Sequence, residues 1–197
     1  MITRYWKVDP VNPQLDIITR AAALIKDLQL VAFPTETVYG LGALASSSEA
    51  VAKIFVAKGR PAENPLLVHV SKIEQVKELV GDIPETARML MDRFWPGPLT
   101  VILPKKPVIP DIVTAGLATV GIRMPSHPVA LSLIKALKNP IAAPSANPFG
   151  YMSPTKARHV AKMLEDRLPL ILDGGDSVFG IESTIISYRD NQVYIHR

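Results

Sequence analysis

The chain has 197 residues, with 22 lysines and arginines against 18 aspartates and glutamates, four histidines and no cysteine. Its 48% hydrophobic and 20% charged residues exclude a disordered chain, and the lack of cysteine excludes disulfides, a thiolate nucleophile and Cys-ligated zinc. The formal charge of +4 favours anionic partners such as nucleotides, tRNA or phosphorylated metabolites, although solubility alone would select a charge of this size.

The first residues, Met1 to Lys7, lack the apolar core of a signal peptide, and no apolar run approaches the roughly 18 residues of a membrane span. The expectation is a cytoplasmic protein. The length suits one domain over residues 1–197. Its 18 prolines are scattered singly, which predicts many rigid turns and no polyproline segment.

Residues 1–12 read as an extended lead-in. A helix is predicted over 13–29, with Leu15, Ile18, Ala22 and Ile25 along one face. Leu30 to Phe33 form a short apolar strand stopped by Pro34. Residues 35–42 read as a polar, Gly-containing connection, in the position where α/β proteins bind ligands. Ser46 and Glu49 have capping-box spacing for a helix to about Ala57. Lys58-Gly59-Arg60-Pro61-Ala62-Glu63-Asn64-Pro65 breaks that helix and leads into a strand over 66–70. A second capping box, Ser71 with Glu74, starts a helix to about Val80.

Ala87, Leu90, Met91 and Phe94 mark a helix over 84–94. A strand follows over 99–103. Residues 104–118, rich in Pro and Lys, read as an irregular surface loop with mobility. A strand over 119–124, a helix opened by Pro128 and a short strand over 141–143 come next. Ser153-Pro154 reads as a helix start, with Ala157, Val160, Ala161 and Leu164 at helical spacing. Strands are predicted over 170–173, 183–187 and 192–195, the last two as a hairpin. Strands and helices alternate without strict order, so the fold class is α/β, one domain with a twisted mixed sheet flanked by helices.

Several motifs fail on inspection. Gly40-x-Gly42-x-x-Ala45 formally matches a dinucleotide fingerprint, but it does not turn directly from strand to helix. No Walker A pattern is present. The histidines have no metal-ligand spacing; His127 and His159 suit surface or helix-end roles, whereas His69 is either a satisfied core residue or a pocket residue. Ser145 and Ser183 leave a hydrolase formally open, but no Ser-His-Asp set has positional support.

Two segments carry more information. Lys58 and Arg60 are braced by one glycine and two prolines, which suits cations that hold an anion in a fixed pose. The bland alternative is a solvated helix end. Pro144-Ser145-Ala146-Asn147-Pro148 again fixes polar groups between prolines, and the two segments are expected to meet across one pocket. Arg123, within an apolar strand, needs a partner. A ligand anion is the favoured one, with Glu36 and Glu182 as internal alternatives.

With these residues assembled, the chain resembles the YrdC-type threonylcarbamoyl-AMP synthase family over nearly its whole length, in the short, single-domain form. The carriers are residues 33–42 (FPTETVYGLG), 58–66 (KGRPAENPL), 94–100 (FWPGPLT), 120–125 (VGIRMP), 144–147 (PSAN) and 182–185 (ESTI). The resemblance implies an α/β fold with a large basic concave cavity. It implies a nucleotidyltransferase that joins L-threonine, bicarbonate or CO2 and ATP into threonylcarbamoyl-AMP and pyrophosphate, toward threonylcarbamoyladenosine in tRNA.

By the same resemblance Lys58, Arg60, Ser145 and Asn147 form the catalytic set. Lys58, Arg60, Asn64, Thr119, Ser145, Ser153 and Arg197 hold ATP, and Thr35, His69, Arg123 and Ser183 hold threonine. Asn147 helps to orient the reacting groups. Mg²⁺ accompanies ATP, with no carboxylate cluster to mark its ligands. The implied partners also include proteins that transfer the threonylcarbamoyl group onward, and a contact with tRNA. The chain ends at Arg197, where the family pattern usually continues with Gly. The alternative from a different class is an RNA-binding module without catalysis, holding tRNA or double-stranded RNA through its phosphates. Against it, the exposed aromatic–basic alternation of single-strand binders is missing. A carbamoyl-transfer domain of hydrogenase maturation proteins is the other relative reading, and those domains sit among acylphosphatase-like and zinc-finger parts.

Overall fold

The computed structural model describes residues 2–189 and 192–197. Its strands, among the described residues, are β1 (Arg4–Lys7), β2 (Val31–Phe33), β3 (Gly40–Leu44), β4 (Leu67–His69), β5 (Leu99–Pro104), β6 (Thr119–Arg123), β7 (Ile141–Ala142), β8 (Leu170–Asp173), β9 (Thr184–Arg189) and β10 (Gln192–Ile195). The helices are α1 (Leu15–Lys26), α2 (Ser48–Lys58), α3 (Ile73–Leu79), α4 (Glu85–Phe94), α5 (Asp111–Thr114), α6 (Pro128–Leu137) and α7 (Ala157–Leu164). The strands form one sheet in the order β1-β8-β2-β3-β7-β4-β6-β5-β9-β10. Pairings β1–β8, β2–β8, β4–β6 and β5–β9 are parallel and the others antiparallel. The expected mixed α/β sheet is what the chain forms.

The sheet separates two apolar layers. Val31 and Phe33 of β2 face the layer of α1 and α6, with Ile18, Ile25, Leu133 and Ile134. Ala32 points the other way, into the layer that holds Ile54, Val76, Met91 and Val160 from α2, α3, α4 and α7. This is the period-two alternation of a strand covered on both faces.

Several boundaries differ from the sequence reading. The lead-in contains β1, whose Arg4, Tyr5, Trp6 and Lys7 lie beside Leu170 to Asp173. Three of these four residues are exposed, so no apolar alternation marks the strand. The connection read over 35–42 becomes β3 from Gly40 onward, a strand hidden by its two glycines. Gly42 is required there: an added Cβ would meet Ile141 Cγ2 and Phe33 Cε1 at 2.7 Å.

The caps also moved. Ser47, not Ser46, accepts the Ala50 amide proton at the start of α2. The box at 71–74 does not form; α3 has Lys72 at its cap without a side-chain bond, and Gln75 Oε1 instead accepts from the Ser71 amide at 2.8 Å. Helix α7 begins at Ala157 behind Lys156, so Ser153-Pro154 lies in the preceding loop. Residues 104–118 are not a free loop. They carry α5 and bury Ile109 and Val113, and the Val113 carbonyl accepts from the Leu66 amide at 2.8 Å. The final hairpin is present, with β9 and β10 antiparallel; its tip, Asp190-Asn191, lies outside the described residues.

Candidate functional site

Lateral register across the sheet builds the site. His69 of β4 lies directly beside Arg123 of β6, Arg123 beside Thr100 of β5, and Thr100 beside Ile185 of β9. Residues in register share a face, so His69 and Arg123 project together into one cleft of about 240 Å³. The loop after β2 closes it with Thr35 to Tyr39, the segment after α2 with Arg60 and Pro65, the segment after β7 with Ala143 to Ser145, and the last strands with Glu182, Ser183 and Arg197.

Arg123 is 3% exposed, and each of its three nitrogens makes one hydrogen bond. Its Nη2 pairs with Glu36 Oε1 at 2.7 Å, its Nη1 donates to Thr37 Oγ1 at 2.9 Å and its Nε to the Gly97 carbonyl at 3.3 Å. Glu36 Oε2 accepts from the Ser126 amide at 3.1 Å. The partner that the sequence reading sought in a ligand is therefore the internal carboxylate Glu36. A guanidinium has five N–H groups, so two remain for a ligand. Glu182, the other internal candidate, pairs with Arg197 and accepts from Ser153 Oγ at 2.9 Å.

His69 is 4% exposed, and its Nδ1 finds no partner among the described residues. Burial, and then the Arg123 charge, push it down to about 3, so it is neutral at ordinary pH. It is a pocket residue whose free ring nitrogen can serve a ligand. His127 caps α6, its Nδ1 accepting from the Val129 amide at 3.2 Å. That is the expected helix-end role, though His127 is buried and burial lowers its pKa.

Gly59 ends α2 with φ of 59°, its amide donating back to Phe55 and Val56. This left-handed step, which glycine adopts without penalty, swings Arg60 toward the cleft. There Nε donates to the Asn64 carbonyl at 3.3 Å and Nη2 to the Pro65 carbonyl at 3.0 Å, and the guanidinium lies 5.9 Å from the Phe149 ring centroid. Lys58 turns the other way. It is 2% exposed and its Nζ donates to the Ser145 carbonyl at 2.5 Å and to the Asn147 carbonyl. Burial, then repulsion from Arg60, push its ammonium down to about 7. The two segments expected to meet do meet, through Lys58.

Of the residues singled out from sequence, Thr35, Arg60, His69, Arg123, Ser145, Ser183 and Arg197 line the cleft. Ser153 joins it through Glu182. Lys58 and Asn147 stand behind the Ser145 wall. Asn64 reaches it through its carbonyl on Arg60. Thr119 is exposed at the start of β6, opposite Pro104. Arg197 is tied down: its Nε donates to the Ser183 carbonyl at 3.1 Å, and its carbonyl accepts from the Ile185 amide at 3.0 Å. Sequence reasoning missed Thr37, which braces Arg123, and Thr100, whose Oγ1 lies 2.8 Å from Ser183 Oγ. A hydroxyl inside the apolar run Leu99-Thr100-Val101-Ile102 was the available signal for Thr100.

The arrangement is an α/β cleft with Arg60, Arg123, Arg197, Glu182 and a neutral imidazole on its wall. The Sua5/YciO/YrdC family model, described as telomere recombination, matches residues 23–197, and the chain belongs to this family. A threonylcarbamoyl-AMP synthase of Bacillus subtilis is 55% identical over 196 residues, covering 97% of this chain and 56% of that protein. One from Pyrococcus abyssi is 55% identical over 166 residues, covering 84% of this chain and 49% of the relative. The crystal structure of P. abyssi Sua5 complexed with L-threonine is similar at a TM-score of 0.96 and 49% identity, covering 99% of this chain and 57% of that one. The chain thus spans about half the length of these relatives.

Proposed function

We propose that this chain is an L-threonylcarbamoyladenylate synthase, forming threonylcarbamoyl-AMP and pyrophosphate from L-threonine, bicarbonate or CO2, and ATP. The observation that carries the reading is the convergence of Thr35, Arg60, His69, Arg123, Ser145, Ser183 and Arg197 on one cleft. The names of the B. subtilis and P. abyssi relatives and the threonine complex of P. abyssi Sua5 support it.

In this reading the two spare N–H groups of Arg123 receive the threonine carboxylate. A guanidinium already neutralised by Glu36 adds directional hydrogen bonds without adding a bare buried charge. Thr35 and Ser183 offer hydroxyls, and His69 Nδ1 accepts a hydrogen bond from threonine. The neutral amine attacks carbon dioxide, gives up a proton to water and becomes a carbamate. A carbamate oxygen then attacks the α-phosphorus of ATP, the bond from α-phosphorus to the bridging oxygen breaks, and pyrophosphate leaves. The protein supplies no covalent nucleophile. Arg60 and Arg197 lower the barrier by neutralising phosphate charge, and the cleft by holding the reactants in line. Asn64, Thr119, Ser145 and Ser153 complete the nucleotide contacts, with Lys58 and Asn147 beside them.

Mg²⁺ belongs to the triphosphate. Among the described residues no three His, Cys, Asp or Glu side chains cluster as a metal site, and Glu36 and Glu182 are both committed to arginines. The product would pass to proteins that transfer the threonylcarbamoyl group to tRNA, in the cytoplasm; no helix among the described residues is long and apolar enough to cross a membrane.

The test is pyrophosphate release by purified protein. It is expected only when ATP, threonine and bicarbonate are all present, and release indifferent to threonine would overturn the reading. Arg60→Ala should lower turnover by about a hundredfold or more with an unchanged circular dichroism spectrum.

A further inference from the structure

The residue whose surroundings least fit its expected role is Lys58. A lysine that clamps phosphates should present its ammonium to the cleft. Here the cleft wall contains Arg60 and Ser145 but not Lys58, and Lys58 is 2% exposed. Its ammonium has three donors, and two are spent on the main-chain carbonyls of Ser145 and Asn147. Its own carbonyl accepts from the Phe149 amide at 2.8 Å. The end of α2 therefore grips residues 145–149 at three points.

The other side of that segment is held by the sheet. The Ala146 amide donates to the Tyr39 carbonyl at 2.8 Å, and the Leu41 amide to the Pro144 carbonyl at 2.9 Å. Asn147 Nδ2 closes the turn, donating to the Pro148 carbonyl at 2.9 Å and the Tyr151 carbonyl at 2.7 Å. Removing the ammonium would leave the Asn147 carbonyl without this donor and Ser145 with only the Asn147 amide, at 3.0 Å. Buried carbonyls that lose their donors are costly, so the segment would shift to regain partners, and Ser145 would move with it.

We propose that Lys58 is a positioning residue, a buried strut that sets the Ser145 wall of the cleft from behind, and not a ligand of the phosphates. The assignment rests on the reading of the cleft as a nucleotide site. It divides the Lys-Gly-Arg segment into two jobs: Arg60 faces the anion, and Lys58 holds the segment that carries Ser145.

Hydrogen exchange on the ligand-free protein tests the strut directly. Lys58→Met keeps the length and removes the donors. Exchange in peptides spanning 145–149 should rise by about tenfold or more, with β4 and β6 unchanged. Lys58→Arg, which keeps donors, should recover part of the protection. A second arm compares ATP with AMP binding. A strut changes both affinities together, keeping their ratio within about twofold, whereas a phosphate ligand lost by Lys58→Met would weaken ATP selectively by about tenfold or more. Unchanged exchange at 145–149, or selective loss of ATP affinity, would overturn the proposal. Should Lys58→Met not fold, Lys58→Gln, which is shorter, uncharged and keeps a donor, carries the comparison of ATP with AMP binding. The exchange arm needs no turnover, so it decides the strut even where threonine-dependent pyrophosphate release fails.

Discussion

Arg123 and Glu36 are both nearly enclosed, so removing either leaves a charge without its counterion. Arg123→Met should destabilise the fold by about 3–5 kcal/mol in urea unfolding, and Arg123→Met combined with Glu36→Gln should recover part of that loss. Full additivity of the two would show that the pair is not coupled. His69 gives a pH dependence. Its folded pKa is about 3 against an ordinary 6.5. Between these values the unfolded chain binds more protons than the folded one. Stability is therefore complete above 6.5 and falls as the pH drops, by about 1.4 kcal/mol per unit. His127 is lowered too and acts in the same sense. His69→Gln should flatten this slope in melts from about pH 7 to about pH 4; an unaltered slope would assign the acid sensitivity to other groups.

At the scale of elements, strong periodicity was legible and weak alternation was not. Helix α6 announced itself through Pro128, Ala130, Leu133, Ile134 and Leu137, and α4 through Ala87 and Met91. Strands β1 and β3 did not, because solvent-facing and glycine-rich strands carry no hydrophobic signal of their own; their neighbours in the sheet make them strands. Cap residues one position apart, Ser46 and Ser47, look alike in sequence and are separated only by backbone geometry. Ser47→Ala should cost about 1 kcal/mol in stability, and Ser46→Ala should leave the unfolding midpoint unmoved. Equal effects would contradict the observed cap. In the site, the cleft-lining Arg60 and the buried Arg123 were legible. Which of the two carboxylates Arg123 takes was not, nor was the Thr100–Ser183 contact, since those bonds join residues far apart in the chain.

For the whole molecule, the mixed sheet was legible from the irregular alternation of elements, but its strand order was not. The order places β8 between β1 and β2, and β9 beside β5. Such pairings depend on twist and on the packing of both layers, which no local pattern records. This topology is also expected to govern speed. Refolding followed by stopped-flow fluorescence of Trp6 and Trp95 should take milliseconds to seconds or longer, the range of folds dominated by non-local contacts; microsecond folding would be inconsistent with this sheet.

The pairing of Arg4 with Leu170 has a further consequence. Both strands of the β1–β8 pair must exist before either is bonded there, and the cleft draws on residues from Thr35 to Arg197. A ribosome building this chain from its N-terminus therefore releases nearly all of it before a competent site can close. Until then the edges of β2 and β5 that β8 and β9 will cover lie open, and this interval is when the chain is most exposed to aggregation and to chaperone capture.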